Sequence, residues 1–194
     1  SKIKKLAYSL VNNAIRIQIS PKDPVSKNVN HFVSSIDMDD KRFFLENLIN
    51  KNEEKKIMVF VRTQVRAERV SAAMERVGIG SLIIHGGKEQ KERNQALKKF
   101  KEGEVSLLIA TDVSARGVDV PGVELVVNYD LPDVAENYVH RIGRTGRGNH
   151  KGDALSFVSK GEMELLLAIE QFLGKKIPEV EISKKEYQTV LDLS

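Results

Sequence analysis

Cysteine and tryptophan are both absent from the 194 residues. Without cysteine the chain has neither disulfides nor thiolate metal ligands, which fits a reducing compartment and leads us to expect a cytoplasmic protein. The four histidines show no ligand spacing, so no metal site is predicted. The chain also lacks an apolar run near the roughly 20 residues of a membrane-spanning helix. The polar start, Ser1–Lys5, lacks the apolar centre of a signal peptide. We therefore expect no association with a membrane.

The composition is that of a globular domain, with 41% hydrophobic and 30% charged residues. A chain of this length can bury one full core and carry a small appendage. The net charge of +4 and a pI of about 9.2 indicate, weakly, an anionic partner such as nucleic acid.

Short apolar segments alternate with amphipathic segments of helical spacing over most of the chain. Strands are predicted at 31–36, 57–61, 81–85, 105–111, 125–129 and 154–158. Helices are predicted from Asp39 or Asp40 to residue 49, and at 63–77, from about 90 to 100, at 134–144 and at 162–173. This alternation predicts an α/β domain with a parallel sheet covered by helices on both faces. Ligands of such sheets bind at the carboxyl ends of the strands.

Residues 20–24, Ser-Pro-Lys-Asp-Pro, break this pattern and predict a boundary. Residues 1–27, with a helix followed by a strand at 14–19, are interpreted as the end of a preceding domain and a linker. The alternative is an arm that packs on its own domain. The strand at 14–19 could pair between two copies and form a dimer. Residues 28–175 form the main domain, and 176–194 are predicted to be a charged extension with a short strand at 179–182.

The densest group of basic side chains lies in residues 140–147, His-Arg-Ile-Gly-Arg-Thr-Gly-Arg. Arg141, Arg144 and Arg147 recur every third residue, so on a helix they would share roughly one face. A guanidinium group binds phosphate oxygens in pairs, and glycine allows the backbone to approach a ligand closely. The segment could therefore clamp a polyphosphate. From composition alone, a solvated basic turn fits equally well.

Residues 110–119, Ala-Thr-Asp-Val-Ser-Ala-Arg-Gly-Val-Asp, follow a predicted buried strand. They combine hydroxyl groups, two carboxylates and an arginine. A carboxylate is suited to ribose hydroxyls, and an arginine with free backbone amides is suited to phosphate. A purely structural turn would have little need of this combination, so the segment is a candidate site.

Two weaker signals follow the second and third predicted strands. Thr63 could cap a helix whose free amides bind phosphate, although most threonines at this place only cap. Gly86 and Gly87 precede Gln90 and Arg93, which lie three residues apart at the start of a helix. A solvated helix surface would give the same spacing.

In their order, these segments resemble the motifs of DEAD-box RNA helicases. Residues 140–147 are similar to the sixth motif and residues 110–119 to the fifth. Residues 60–64 are similar to the fourth, with Arg62 where a small polar residue is usual. Gln-Lys-Glu-Arg at 90–93 resembles the Gln-x-x-Arg element. Residues 127–132, Val-Asn-Tyr-Asp-Leu-Pro, resemble a linking motif expected to brace the loops.

The resemblance covers residues 28–175 and implies the second of two RecA-like domains, a three-layer α/β fold. It assigns Arg144 and Arg147 to the ATP phosphates as arginine fingers, and Asp119 to the ribose. It makes Arg116 an organiser near the nucleotide, and it makes His140 and Arg141 residues that couple the ATP contact to the partner domain. It also implies six contacts with the RNA backbone, namely Thr63, Gly86, Gln90, Arg93, Thr111 and Gly117.

A Gly-x-x-x-x-Gly-Lys-Ser/Thr phosphate loop and an Asp-Glu-Ala-Asp box are both missing. The resemblance thus implies that ATP and Mg²⁺ act in a full-length enzyme whose N-terminal RecA-like domain holds the magnesium. This chain is expected to be inactive alone and to bind RNA with little sequence preference. Two alternatives stay open: a stand-alone RNA-binding module without ATPase activity, and a DNA-directed helicase of the wider superfamily.

Overall fold

The computed structural model describes residues 23–85 and 87–194. The predicted N-terminal helix, the strand at 14–19 with its proposed dimer contact, and Gly86 lie outside the described residues. Six strands form one sheet within them: β1 (Val29–Ser35), β2 (Ile57–Phe60), β3 (Leu82–Ile84), β4 (Leu107–Ala110), β5 (Leu125–Asn128) and β6 (Gly152–Val158).

The strand order is β1-β6-β5-β2-β4-β3, and every pairing is parallel. The central strands β2, β4 and β5 are buried along their whole length. Continuous apolar runs are what such two-sided burial requires. In register, Phe60 lies opposite Ala110 and Asn128, so the segments that follow these three strands emerge side by side.

Seven α-helices connect or follow the strands in the described part of the chain. They are α1 (Lys41–Asn50), α2 (Gln64–Arg76), α3 (Gln90–Glu102), α4 (Asp112–Ala115), α5 (Ala135–Ile142), α6 (Met163–Leu173) and α7 (Lys184–Asp192). Short 3₁₀ turns at Met38–Asp40 and Lys160–Glu162 precede α1 and α6.

Two apolar cores lie on opposite faces of the sheet because successive strand residues point to alternate faces. Phe44 of α1 and Met74 of α2 belong to one core. Phe100 of α3, Tyr138 of α5 and Ile169 of α6 belong to the other. The three-layer α/β fold predicted from the sequence is confirmed.

Helix α5 ends at Ile142, two residues earlier than predicted. Gly146 adopts a left-handed backbone with φ of 67°. A β-carbon at Gly146 would lie 2.6 Å from Cγ2 of Val29 and 2.9 Å from the carbonyl oxygen of Asn28, so the chain passes tightly against the start of β1. The prediction that Arg144 lies on the helix is therefore wrong, and Arg144 and Arg147 lie on the turn that follows α5.

The C-terminal segment also differs from the prediction. Instead of a strand at 179–182, it forms a single parallel bridge between Val33 and Glu179. The unpredicted helix α7 then packs against α1, with the rings of Phe44 and Tyr187 4.7 Å apart. The Tyr187 hydroxyl donates to Asp40 at 2.6 Å and accepts from the backbone N–H of Asp37 at 3.0 Å.

Replacing Tyr187 by phenylalanine tests how firmly α7 is attached. The Tyr187→Phe ring can still pack on Phe44, but both hydrogen bonds of the hydroxyl are lost. We expect the free energy of unfolding, measured with urea, to fall by about 1–2 kcal/mol. Gln188→Ala, on an exposed position of the same helix, should change it by less than about 0.5 kcal/mol. Equal values for the two variants would contradict this attachment.

Candidate functional site

A cleft of about 590 Å³ opens at the carboxyl end of the sheet, beside the segment after β4 and the end of α5. Its volume lies within the range of small-molecule sites in proteins. Seven of the residues predicted from the sequence line it: Arg116, Gly117, Asp119, His140, Arg141, Arg144 and Arg147. The two strongest sequence segments, 110–119 and 140–147, thus meet in one cleft.

Arg147 forms an exposed ion pair across the cleft. Its Nη1 donates to Asp119, and its Nε donates to the carbonyl oxygen of Gly143 at 3.3 Å. The side chains of Arg147 and Asp119 are 47% and 77% exposed. An exposed pair of this kind is worth about 0–1 kcal/mol, so a multiply charged ligand can displace it. Arg147 is therefore a cation available to an incoming phosphate.

Arg144 is held more firmly than Arg147. Its guanidinium group donates to the backbone carbonyls of Ala115 and Val118. Burial, followed by the charge of Arg147, lowers its pKa, although a guanidinium stays protonated in proteins. Arg144 therefore ties residues 143–147 after α5, the arginine turn, to the loop after β4 and places a fixed positive charge in the cleft.

Arg141 is 1% exposed, and its donors all point into the protein. Nε and Nη2 bind the two carboxylate oxygens of Asp112 at 2.6 and 2.8 Å. Nη1 donates to the carbonyl oxygen of Asp130 at 2.6 Å and to Oδ1 of Asn128 at 3.2 Å. The guanidinium lies 5.2 Å from the ring centre of Phe60. Arg141 thus braces three strand ends, while its neighbour His140 is exposed to the cleft.

Asp112, which sequence reasoning did not single out, completes this brace and also lines the cleft. The sequence feature that could have identified Asp112 is its position directly after Thr111, within the segment 110–119. Thr111 itself is only 6% exposed. Its hydroxyl lies 3.1 Å from that of Ser114, which donates to the carbonyl oxygen of Ile84 at 2.6 Å. The predicted RNA contact of Thr111 remains a prediction, and its observed role is to link β4 to β3.

Gly117 and Arg116 form the exposed part of the same loop. Gly117 has a φ of 72°, a conformation that side chains disfavour, and an added β-carbon would meet nothing within 4 Å. The glycine is thus needed for its backbone conformation. Arg116 is exposed and forms no hydrogen bond or ion pair with the residues that the structure describes. It offers the cleft a further cation, one that is not paired with a carboxylate of the described residues.

Three of the other predicted RNA residues, Thr63, Gln90 and Arg93, lie at the starts of the helices that follow β2 and β3. The exposed Thr63 caps α2, accepting from the backbone N–H of Arg66 at 3.2 Å. At the start of α3, Nη2 of Arg93 donates to Oε1 of Gln90 at 2.6 Å. Nε of Arg93 is buried and has no hydrogen-bond partner within the described residues. A buried donor without a partner is costly, so Nε is the one donor group of Arg93 that the described residues leave unsatisfied in the interior.

A buried ionic network stands behind the site, and sequence reasoning missed it. Lys41, at the start of α1, is fully buried and donates to Glu162 and, at 2.6 Å, to the carbonyl oxygen of Tyr129. Asp130 accepts from Nε and Nη2 of Arg66 at 2.6 and 2.7 Å. Burial lowers the pKa of Lys41, and its hydrogen bond to Glu162 opposes that change. A lysine in the first turn of an amphipathic helix gave no sign of such a role.

This network fixes the turn after β5, residues 129–131. Asp130 also accepts from the backbone N–H of Arg62 at 3.0 Å. Glu162 accepts from the backbone N–H of Leu131 at 2.8 Å. The carbonyl oxygen of Asp130 accepts from Arg141, so the network also fixes the position of the Arg141 guanidinium. That guanidinium forms the floor of the cleft.

Within residues 23–85 and 87–194, no group of three or more histidine, aspartate or glutamate side chains is placed to hold a metal ion. In the same part of the chain, no helix is long and apolar enough to cross a membrane.

Comparison with known proteins agrees with this geometry. The family described as "Helicase conserved C-terminal domain" matches residues 40–149, more than half of the chain. The "ATP-dependent rRNA helicase RRP3" of Candida glabrata is 37% identical over 192 residues, covering 99% of this chain and 39% of that protein. The chain thus spans about two fifths of the length of this curated relative.

Solved structures give the same result. The E. coli DEAD-box protein SrmB, solved bound to the regulator of ribonuclease activity A, has a TM-score of 0.75 at 34% identity, covering 81% of this chain and 92% of that chain. A variant of S. cerevisiae Dbp5 bound to RNA and ADP BeF3 has a TM-score of 0.77 at 29% identity, covering 99% of this chain and 51% of that chain.

The fold, the arginine turn and these similarities define a RecA-like helicase domain. The chain belongs to the helicase conserved C-terminal domain family, and within it to the C-terminal domains of DEAD-box proteins.

Removing the buried cation tests the network. Lys41→Met leaves the carboxylate of Glu162 buried without its cation, and we expect a loss of about 3–5 kcal/mol in the free energy of unfolding. Lys41→Met combined with Glu162→Gln should recover part of that loss. Lys51→Met, at the exposed end of α1, serves as the control. If Lys41→Met is as mild as Lys51→Met in urea denaturation, the network has no stabilising role.

Proposed function

We propose that this chain is the C-terminal motor domain of an ATP-dependent RNA helicase and supplies half of a cleft that binds ATP and RNA. The observation that carries the proposal is the pair Arg147–Asp119, which is exposed on the cleft, opposite in charge and weakly held. The two groups suit different parts of one nucleotide: a guanidinium binds phosphate, and a carboxylate accepts from ribose hydroxyls.

In this proposal, the binding of ATP breaks the ion pair between Arg147 and Asp119, and each of the two side chains then contacts the nucleotide. When the upstream RecA-like domain presents its bound ATP, Arg147 leaves Asp119 and binds the γ-phosphate. Asp119 is then free to accept from the ribose. Arg144, held by Ala115 and Val118, adds a fixed positive charge nearby. Arg116, exposed beside them, neutralises further phosphate charge, and His140 faces the partner domain.

Catalysis would then come from positioning and electrostatics, without a covalent intermediate. The arginines stabilise charge that develops on the transferred phosphoryl group. The proposal assigns the phosphate loop and the magnesium ion to the upstream domain, since this sequence contains no phosphate-loop motif. Magnesium would neutralise the β- and γ-phosphate oxygens there.

RNA is proposed to bind across the ends of β2, β3 and β4, through the backbone and without sequence preference. The N-terminus of α2 behind Thr63 provides free backbone amides, and Arg93 provides the unpartnered Nε. Gln90, Gly86, Thr111 and Gly117 complete the predicted set. The relatives named as ATP-dependent rRNA helicases, and the Dbp5 structure with RNA and ADP BeF3, support this assignment.

ATP hydrolysis by the chain joined to its natural upstream half tests the proposal directly. We expect hydrolysis that single-stranded RNA stimulates, and none from the chain alone. A joined protein that binds RNA but hydrolyses no ATP would favour the stand-alone RNA-binding module. Unwinding of DNA duplexes in preference to RNA duplexes would favour a DNA helicase.

Arg147→Ala in the joined protein should lower kcat for ATP by about 10³-fold or more, the effect of losing an arginine finger. Arg147→Lys should recover little, since an ammonium group cannot bind two phosphate oxygens as a planar fork. Lys151→Ala, an exposed cation four residues further along the chain, is the matched control. A kcat within tenfold of wild type would remove Arg147 from this role.

Arg93→Ala should weaken RNA binding and lower the slope of log K against log salt by about 0.7, the value for one contact with single-stranded nucleic acid. Fluorescence anisotropy with a labelled oligonucleotide at several salt concentrations measures both. Lys99→Ala, exposed near the end of the same helix, should leave the slope unchanged. An unchanged slope in Arg93→Ala would contradict a phosphate contact.

A further inference from the structure

A second groove, of about 480 Å³, lies between α1 and α2 and plays no part in the function described above. Four arginines line it, Arg42 on α1 and Arg66, Arg69 and Arg76 on α2, together with a single carboxylate, Asp39. Met38, Val70 and Tyr129 contribute apolar surface. The groove therefore combines a strongly positive rim with an apolar and aromatic wall.

Three of these arginines are not used within the domain. The fourth, Arg66, already forms an ion pair with Asp130. Arg42 contacts the ring of Phe43, with 4.5 Å between the guanidinium and the ring centre. Arg42, Arg69 and Arg76 form no ion pair or hydrogen bond with the described residues. They are exposed, and their like charges repel each other along one groove. A bound anion would relieve this repulsion.

The spacing of the arginines on α2 fits a linear anion. Arg66, Arg69 and Arg76 lie three and seven residues apart, so they share the side of the helix that lines the groove. From Arg66 to Arg76 the helix rises about 15 Å at about 1.5 Å per residue. At the duplex rise of about 3.4 Å per nucleotide, that length corresponds to roughly four nucleotides, and to fewer where a single strand is extended. A single phosphate or a mononucleotide would engage only part of this row.

The groove also joins the proposed RNA surface. Arg66 is bound through its backbone N–H by Thr63, the residue predicted to meet RNA phosphate at the start of α2. Tyr129 follows β5 at the same carboxyl edge of the sheet, and the guanidinium of Arg66 lies 5.7 Å from its ring centre. A strand that contacts the N-terminus of α2 can therefore continue into the groove without a change of face.

We propose that the groove of Arg42, Arg66, Arg69 and Arg76 binds the sugar-phosphate backbone of single-stranded RNA that extends beyond the main cleft. This inference rests on the proposed function. It adds a second contact region, which lengthens the RNA that the domain covers. Arg42, Arg69 and Arg76 neutralise phosphates in this proposal, so the contribution is independent of sequence and falls with salt.

Oligonucleotide length and a charge-matched control test the inference. Binding of labelled single-stranded RNA of 6 and 16 nucleotides is measured by fluorescence anisotropy for the chain joined to its upstream half. The test variant is Arg69→Gln with Arg76→Gln. The control, Lys98→Gln with Lys99→Gln, removes the same charge from exposed positions of α3, whose core contacts are on the opposite face of the sheet.

We expect the test variant to bind the 16-nucleotide RNA about tenfold more weakly at 50 mM salt, with the salt slope lowered by about 1.4 for two lost contacts. Its affinity for the 6-nucleotide RNA should not change, and the control should match wild type with both. If the test and control variants lose equal affinity for the 16-nucleotide RNA, the loss reflects only the lower net charge, and the inference is overturned.

Two further outcomes separate this inference from the proposed function. If the test variant binds both oligonucleotides as wild type does while Arg93→Ala binds them weakly, the groove is not an RNA site, although the proposed function stands. If the wild-type joined protein binds neither oligonucleotide, both fail. Polyglutamate that binds wild type but not the test variant, with RNA binding unaffected, would assign the groove to an acidic protein instead and overturn the inference.

Discussion

The buried guanidinium of Arg141 is the interaction on which the rest of the site depends. It joins α5 to the ends of β4 and β5 through Asp112, Asn128 and the backbone of Asp130, and it lies over Phe60 at the end of β2 between them. A buried cation is stable only when its hydrogen bonds are satisfied. The acceptors hold the guanidinium of Arg141 in place, and the guanidinium in turn holds the acceptors. The floor of the cleft is therefore rigid.

The second layer of charge, Lys41 with Glu162 and Arg66 with Asp130, holds those acceptors in place. Its partners come from α1, α2, the turn after β5 and the 3₁₀ turn before α6, so distant parts of the chain meet behind one short turn. As a result, the three arginines of residues 140–147 have different roles. Buried Arg141 is structural, half-buried Arg144 ties two loops together, and exposed Arg147 is available to a ligand.

The sequence was a good guide to the fold because the alternation of apolar runs and amphipathic helices is dictated by two-sided burial of a parallel sheet. It also singled out the two segments that meet in the cleft, although only 110–119 directly follows a strand and 140–147 lies at the end of α5 and on the turn after it. It could not predict which arginines face inward. Arg141, Arg144 and Arg147 are equally basic in the sequence, and only the end of α5 at Ile142 and the tight passage of Gly146 past Val29 separate their roles. The burial of Lys41 and the packing of α7 could not be predicted, because their partners lie about 90 to 150 residues away in the chain.

The difference in exposure along the arginine turn has a mechanistic consequence. A group that must bind a ligand arriving from another domain cannot be fixed too firmly, or the ligand has to break strong bonds before it gains new ones. The exposed Arg147–Asp119 pair satisfies this condition, since its loss costs little in water. Arg141 cannot serve in the same way, because withdrawing it would leave Asp112 and the carbonyl oxygen of Asp130 without their donors. The structure therefore favours Arg147 over Arg141 for the proposed contact with the nucleotide, while Arg141 keeps the floor of the cleft in place.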